Sequence, residues 1–202
     1  QAGPLSRDHL TTRLDLHNIK HQYNMSCMQK DNNDAQSVVF WVAEMEREDH
    51  NPILCFKAQG ETSNHVGMES NDFLLGLQTE FQKEIFIKYA KKLVCVDATH
   101  GTNAYDFQLI TVLVIDDYDE GIPVAWLISN KESSSVLSSF FASIRERCGD
   151  VKTEIFMTDD ADGYHNSWIS AFSRPAKKTP QRTHQRQRTA RRGLQRPQKL
   201  TK

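Results

Sequence analysis

The stretch LVCVDATHGTN at residues 93–103 decides the fold, because a short apolar run leads directly into a carboxylate at Asp97. A run of this length with β-branched residues is typical of a buried strand. Small and polar residues follow, so the strand ends close to the acid. Taken alone, such an acid is better explained as a turn or capping residue than as part of a site. The downstream sequence changes that balance.

Five further segments follow in a regular order. Residues 108–115 and 122–128 are predicted strands of an antiparallel hairpin, joined by a loop that contains Gly121. Residues 133–148 carry one apolar stripe and a serine cap, as expected of a helix. Residues 153–158 predict a fourth strand, and residues 161–172 a second helix. This order predicts an α/β fold with a mixed sheet, in which an antiparallel three-strand meander is followed by a parallel fourth strand.

The predicted crossover brings two acids together. A right-handed connection places strand 153–158 parallel to strand 93–99 and beside it. Asp97 and Asp159 then lie at neighbouring carboxyl ends, where open α/β sheets bind ligands. Two close carboxylates repel each other, and hard divalent cations such as Mg²⁺ or Mn²⁺ relieve that repulsion. We therefore take Asp97 and Asp159 as the candidate catalytic and metal-binding residues.

Other conspicuous residues have simpler explanations. Asp160 is better read as a helix cap than as a ligand, and His100 as a solvated loop residue. Trp126 and Trp168 have the spacing of core residues. The acids at 116–120 lack the glycine and terminal glutamate of a calcium loop, so a solvated turn explains them better.

The sequence predicts three regions. Residues 1–92 form a helical and β-hairpin extension, in which strand 53–57 pairs with segment 72–79 and Asn51-Pro52 ends a helix. Residues 93–172 form the α/β domain. Residues 173–202 form a basic tail that is predicted to be disordered, because it has no apolar periodicity.

Charge is divided unequally between the tail and the rest. The tail holds eleven Lys and Arg residues and no acid, which leaves 14 basic and 26 acidic residues before it, a net charge of −12. Such a split favours contact between the tail and the phosphates of DNA. The KK and RR pairs in the tail also match a weak pattern for nuclear localisation. A solvated, disordered run without function explains the tail equally well.

The N-terminal residues and the cysteines indicate in which compartment we expect the protein and whether we expect the chain to be a fragment. Residues 1–10 contain no apolar signal region, and no stretch has the length of a membrane span. The four cysteines are scattered, so we expect free thiols in a reducing compartment. The chain begins with Gln rather than Met, and we expect it to be a fragment.

Several motifs in this order resemble the catalytic domain of Mutator-like element (MULE) transposases, closest to the animal transposon-derived branch. The resemblance covers roughly residues 8–172. The motifs are DATHGTNAY (97–105), LIT (109–111), GIPVAW (121–126) and MTDD (157–160), with NDAQS (33–37) and LQTEFQ (77–82) upstream.

The resemblance implies an RNase H-like fold and a DDE triad of acids on two Mg²⁺ or Mn²⁺ ions. It implies DNA cleavage and strand transfer in DNA transposition, DNA as a partner, a nuclear location and a possible homo-oligomer. Asp97 matches the first acid and Asp159 the second. The third acid of the family, on a later helix beyond a Cys and a Trp-His pair, has no counterpart in residues 173–202.

Three interpretations remain open at this point. The chain is a transposase core with an incomplete triad, which predicts little or no catalysis. Alternatively it is a non-enzymatic, transposase-derived DNA-binding or regulatory protein that uses its basic tail, or a decayed fragment. The abrupt change after Phe172 suggests a frameshift, a misjoined exon or a decayed element.

Overall fold

A computed structural model of the protein describes residues 12–22, 29–62, 67–101, 103–159 and 162–180. The chain forms two compact units, Gln1–Asn51 and Pro52–Lys202. The first unit contains helices α1 (Arg13–Gln22) and α2 (Asp34–Met45) among its described residues. No helix in the described ranges is long and apolar enough to cross a membrane.

Helix α2 begins where the acids and amides of the sequence predict a helix start. The Asn33 side chain accepts hydrogen bonds from the backbone N–H groups of Ala35 and Gln36, at 3.0 and 3.3 Å. These contacts satisfy two of the donors that a helix N-terminus leaves free. An ion pair of 2.7 Å between Lys30 and Glu44 joins the preceding segment to the helix.

The second unit is a single sheet with helices. Its described residues form β1 (Ile53–Lys57), β2 (Leu74–Leu77), α3 (Glu80–Tyr89), β3 (Leu93–Thr99), β4 (Gln108–Ile115), β5 (Gly121–Ser129), α4 (Ser134–Cys148), β6 (Ile155–Thr158), α5 (Gly163–Ala171) and β7 (Lys177–Pro180). The seven strands of this described part have the order β1-β2-β5-β4-β3-β6-β7. The mixed sheet and its helices confirm the predicted RNase H-like α/β fold.

The topology of the central strands is the predicted one. Strands β3, β4 and β5 form an antiparallel meander, in which Asp97 pairs with Thr111 and Thr111 with Trp126. Strand β6 lies parallel to β3, with Val96 opposite Thr158. The Ser133 side chain accepts a hydrogen bond from the Val136 N–H and so caps α4, the helix that connects β5 to β6.

One face of the sheet is buried from solvent because helices cover it. Alternate residues of β3 and β4 are fully buried, while their neighbours on the other face are mostly half-buried. Side chains from α4 and α5 complete this core, which includes Phe140, Phe141, Ile144, Tyr164 and Trp168. The core therefore fixes β3 and β6 against the same helices.

The predicted boundary at residue 92 is wrong, because β1, β2 and α3 belong to the same unit as β3. Strand β2 extends the sheet by pairing with β5, and β1 pairs with β2 as predicted. Arg147 of α4 anchors this hairpin to the helix. Its guanidinium donates hydrogen bonds to the backbone carbonyls of Gln78 and Ile53 at 2.7 and 2.6 Å. The capping box of Thr79 and Gln82 starts α3 directly after β2.

Replacing Arg147 by Met is expected to lower the free energy of unfolding by about 2 kcal/mol, because two backbone carbonyls lose charge-assisted hydrogen bonds. Urea unfolding followed by circular dichroism measures the change. Lys152→Met is the control, since Lys152 is exposed and should shift the value by less than about 0.5 kcal/mol. Equal effects of the two changes would mean that Arg147 does not anchor the hairpin.

The start of the basic tail is ordered, contrary to the prediction of disorder from residue 173. Strand β7 pairs in parallel with β6, with Lys177 opposite Ile155 and Pro180 opposite Thr158. The Lys177 N–H also donates to the Glu154 carbonyl at 2.8 Å. Sequence pattern missed this strand because it is short and polar. Residues 181–202 lie outside the described part of the protein.

Candidate functional site

Asp97 and Asp159 occupy neighbouring strands at one end of the sheet, as the sequence predicts. The last paired residues of β3 and β6 are Val96 and Thr158, and each acid follows directly. Adjacent strands lie about 4.8 Å apart, and residues at matching positions of parallel strands point to the same face. Asp97 is half-buried and Asp159 is exposed. We call this region, defined by Asp97 and Asp159, the acid end of the sheet.

The Cys95 thiol lies near the carboxylates of Asp97 and Asp159, whose charges affect its pKa. Cys95 precedes Asp97 by two residues on β3 and therefore lies on the same face. Burial raises the pKa of the Cys95 thiol to about 11, with smaller contributions in the same direction from the negative charges of Asp97 and Asp159. Because Val96 and Thr158 lie opposite each other on the two strands, the acids that follow them lie at the same end of the sheet.

The donor set at the acid end fits a hard divalent cation in part. Carboxylate oxygens are the ligands that Mg²⁺ and Mn²⁺ prefer, and water or phosphate oxygens commonly fill the remaining positions. Among the described residues, no group of three or more His, Cys, Asp and Glu side chains is placed to hold a metal. Asp97 and Asp159 could offer two carboxylate ligands, and no third His, Cys, Asp or Glu among the described residues is placed with them to hold a metal.

The simpler explanations of other conspicuous residues fare differently. His100 is exposed just after β3, and Asp160 lies outside the described residues. Trp168 is fully buried in the core, as predicted. Trp126 is only half-buried, because it projects from the less covered face of the sheet.

The acids at 116–120 form the turn between β4 and β5, as predicted. The Asp116 carboxylate accepts hydrogen bonds from the N–H groups of Tyr118 and Glu120, both at 2.9 Å. Asp117 accepts from the Tyr89 hydroxyl, and Asp119 pairs with Lys92 at 3.5 Å. This turn lies at the end of the sheet opposite to the acid end, so it does not belong to the candidate site.

Helix α5 starts later than predicted and without a capping side chain. Its N-cap residue is Asp162, whose side chain makes no capping hydrogen bond. Instead, Lys178 of β7 donates to the Asp162 carboxylate at 2.9 Å, and this hydrogen bond lowers the pKa of Asp162 below its usual range. The contact links β7 to the segment that follows Asp159.

The free thiols of the prediction are confirmed for three of the four cysteines. Cys55, Cys95 and Cys148 are free. Desolvation raises the pKa of both Cys55 and Cys148 to about 11, so these thiols remain protonated at neutral pH. Cys27 lies outside the described residues.

A loop between β3 and β4 also reaches the acid end, and its role was not predicted. The Asn103 side chain accepts hydrogen bonds from the N–H groups of Tyr105 and Phe107 and donates to the Phe107 carbonyl. Asp106 has a φ of +57°, a left-handed conformation that Asp tolerates better than most residues. Asn103 and Asp106 are residue types typical of turns. They are the sequence signal from which this loop could have been predicted.

The order of strands and the acids at their carboxyl ends define an RNase H-like domain. Comparison with protein families agrees, since residues 53–166 match the RNaseH-like domain of Zinc finger SWIM domain-containing protein 1/3. The protein belongs to this family. The match begins one residue after the second compact unit begins, so two independent observations place the domain start at about the same position. Comparison with curated proteins gave no match.

Proposed function

We propose that the second unit is a transposase-type RNase H-like domain, related to the MULE branch, that binds DNA phosphates through a divalent cation on Asp97 and Asp159. The observation that carries the proposal is the position of both acids directly after the last paired residues, Val96 and Thr158, of two neighbouring parallel strands. The RNase H-like family match and the motifs around both acids support it.

The two acids have distinct tasks in this proposal. Asp97 lies within a central strand and gives a rigid, half-buried oxygen ligand, while the exposed Asp159 lies at the mouth of the site. Divalent cations, when bound by such acids, stabilise the attacking and leaving oxygens of a phosphodiester. Residues 1–172 carry a net charge of −12, so DNA would be repelled from the acids themselves. Metal loading therefore becomes a condition for phosphate binding.

Strand cleavage needs more than these two acids. A site that loses one of its positioned ligands loses most of its activity. Residues 173–202 contain no Asp or Glu. We therefore propose that the 202-residue protein binds metal and DNA phosphate but cleaves DNA slowly or not at all.

DNA binding with and without metal tests this proposal. We expect a labelled DNA duplex to bind at least about tenfold more tightly with 1 mM Mn²⁺ than with EDTA, because metal replaces repulsion by attraction. Asp97→Asn combined with Asp159→Asn should remove this gain, as measured by fluorescence anisotropy at fixed ionic strength. The same samples, run on a gel, should show no more cleavage for the wild type than for the double variant. A wild type indifferent to Mn²⁺ would contradict the proposal.

A second candidate function is metal-independent DNA binding through the basic tail, in the nucleus. Strand β7 favours it, because β7 pairs in parallel with β6 and ends, at Pro180, at the acid end of the sheet. Eight Lys and Arg residues follow Pro180 without an acid. Binding that survives EDTA and both acid substitutions, falls steeply with salt, and disappears when residues 181–202 are removed would select this function.

A further inference from the structure

Three aromatic side chains form a continuous stack at the acid end. The rings of Phe73 and Phe107 stack with centroids 5.0 Å apart and planes inclined by 26°. The Tyr105 ring continues the row, with its centroid 6.0 Å from that of Phe107. Phe73 is buried, Phe107 is half-buried and Tyr105 is 61% exposed. The row thus has a packed base and one large ring open to solvent.

Hydrogen bonds from the Asn103 side chain hold the backbone segment that carries the exposed Tyr105 ring. The Asn103 carboxamide oxygen accepts from the N–H groups of Tyr105 and Phe107, both at 3.0 Å. Its amide nitrogen donates to the Phe107 carbonyl at 2.7 Å. Asp106 between the two rings adopts the left-handed conformation, which is retained where surrounding contacts require it. These contacts hold the backbone of Tyr105 beside that of Phe107. Less conformational entropy of the loop is then lost when a ligand binds.

The stack lies at the same end of the sheet as the candidate metal site. Leu109 near the start of β4 pairs with Thr99 at the end of β3, two residues beyond Asp97, so the loop carrying Tyr105 leaves the sheet at the acid end. Asp97 itself lies opposite Thr111, four residues along β4 from Phe107, which corresponds to about 13 Å along the strand. Strand β6, which Asp159 follows, is the neighbour of β3 on its other side. A DNA strand with its phosphate at the acids could therefore reach the stack with a base a few nucleotides away.

We propose that Tyr105 is a stacking platform for an unpaired base of a DNA strand whose phosphate lies at Asp97 and Asp159. The inference rests on the proposed function, since it takes the acid end as the place where phosphate binds. Aromatic rings stack on the π-face of any base, and such stacking depends little on sequence. Phe107 packs against the Tyr105 ring, and Phe73 stacks on Phe107, so the exposed ring has a packed aromatic base.

Two oligonucleotides of equal charge separate stacking from phosphate contact. One is a fluorescein-labelled dT12 strand, and the other is a twelve-unit abasic strand with the same phosphates. Affinities are measured by anisotropy at low salt with 1 mM Mn²⁺ and full-length protein, because the proposed function makes metal a condition for phosphate binding at the acids. We expect Tyr105→Ala to weaken dT12 binding by about tenfold and to leave the abasic strand within twofold of wild type. Tyr105→Phe should retain wild-type affinity, because it keeps the ring.

The matched control is Tyr118→Ala, which removes an 86% exposed tyrosine at the opposite end of the sheet and should change neither affinity. The proposal is overturned if Tyr105→Ala leaves dT12 binding unchanged, or weakens both strands equally. It is also overturned if wild-type protein does not prefer dT12 to the abasic strand. Loss of the Mn²⁺ gain for both strands would contradict the metal site, whereas loss of the preference for dT12 would contradict stacking, so the two proposals fail separately.

Discussion

Replacing Trp168 by Ala is expected to lower the free energy of unfolding by about 4 kcal/mol, the largest loss of stability that we predict. Trp168 of α5 is fully buried. Its ring stacks on Phe172 at a centroid distance of 4.2 Å and lies 5.0 Å from Phe156 of β6. Phe141 of α4 meets it edge-on at 5.4 Å. Removing the indole leaves a cavity where α4, α5 and β6 converge.

The measurement is urea unfolding followed by far-ultraviolet circular dichroism, because fluorescence would change with the tryptophan itself. Trp168→Phe keeps an aromatic ring and should lose less than about 2 kcal/mol. Tyr118→Ala is the exposed control and should stay within about 0.5 kcal/mol of wild type. A loss below about 1 kcal/mol for Trp168→Ala would mean that α5 does not pack on β6 as described.

The second large effect is a loss of stabilisation by metal when Asp97 and Asp159 are both changed to Asn. A ligand present at about a hundred times its Kd stabilises a folded protein by about 2.7 kcal/mol. We expect wild-type protein to gain about this amount at such a concentration of Mn²⁺. The double variant should gain less than about 0.3 kcal/mol over the same range, because Asn has no negative charge to offer. Thermal unfolding with Mn²⁺ and with EDTA measures both gains.

Like-charge repulsion supplies an internal control for that experiment. Without metal, the double variant should be at least as stable as wild type, since two neighbouring carboxylates no longer oppose each other. Asp119→Asn removes an exposed acid from the turn at the other end of the sheet and should retain the full Mn²⁺ gain. If Asp119→Asn abolished the gain, the cation would be bound at the turn and the site would be wrongly placed.

The order of the central elements could be predicted because their sequence patterns are strong. The apolar runs of β3 and β4 are long and end at acids or turn residues. The apolar stripe of α4 and its Ser133 cap mark one long helix. Given that order, the handedness of crossover connections leaves β6 only one place, beside β3. The juxtaposition of Asp97 and Asp159 was therefore predictable from topology before any distance was known.

The wrong predictions concern contacts between segments that are distant in sequence, which local periodicity does not indicate. The boundary placed at residue 92 ignored the pairing of β2 with β5, which depends on a partner about 50 residues away. Strand β7 reads KKTP, a polar segment that takes its conformation from β6 rather than from its own composition. The aromatic row of Phe73, Phe107 and Tyr105 joins two loops that are distant in sequence, so no local pattern indicated it.

Nuclear magnetic resonance can show directly whether Mn²⁺ binds at Asp97 and Asp159. Paramagnetic Mn²⁺, titrated into ¹⁵N-labelled full-length protein, broadens the amide signals closest to the ion. We expect signals of residues 95–99 and 158–159 to disappear first, while those of the turn at 116–120 persist. Asp97→Asn combined with Asp159→Asn should remove this selectivity. Broadening that begins at 116–120, or that affects the whole spectrum evenly, would contradict a metal site at the acid end.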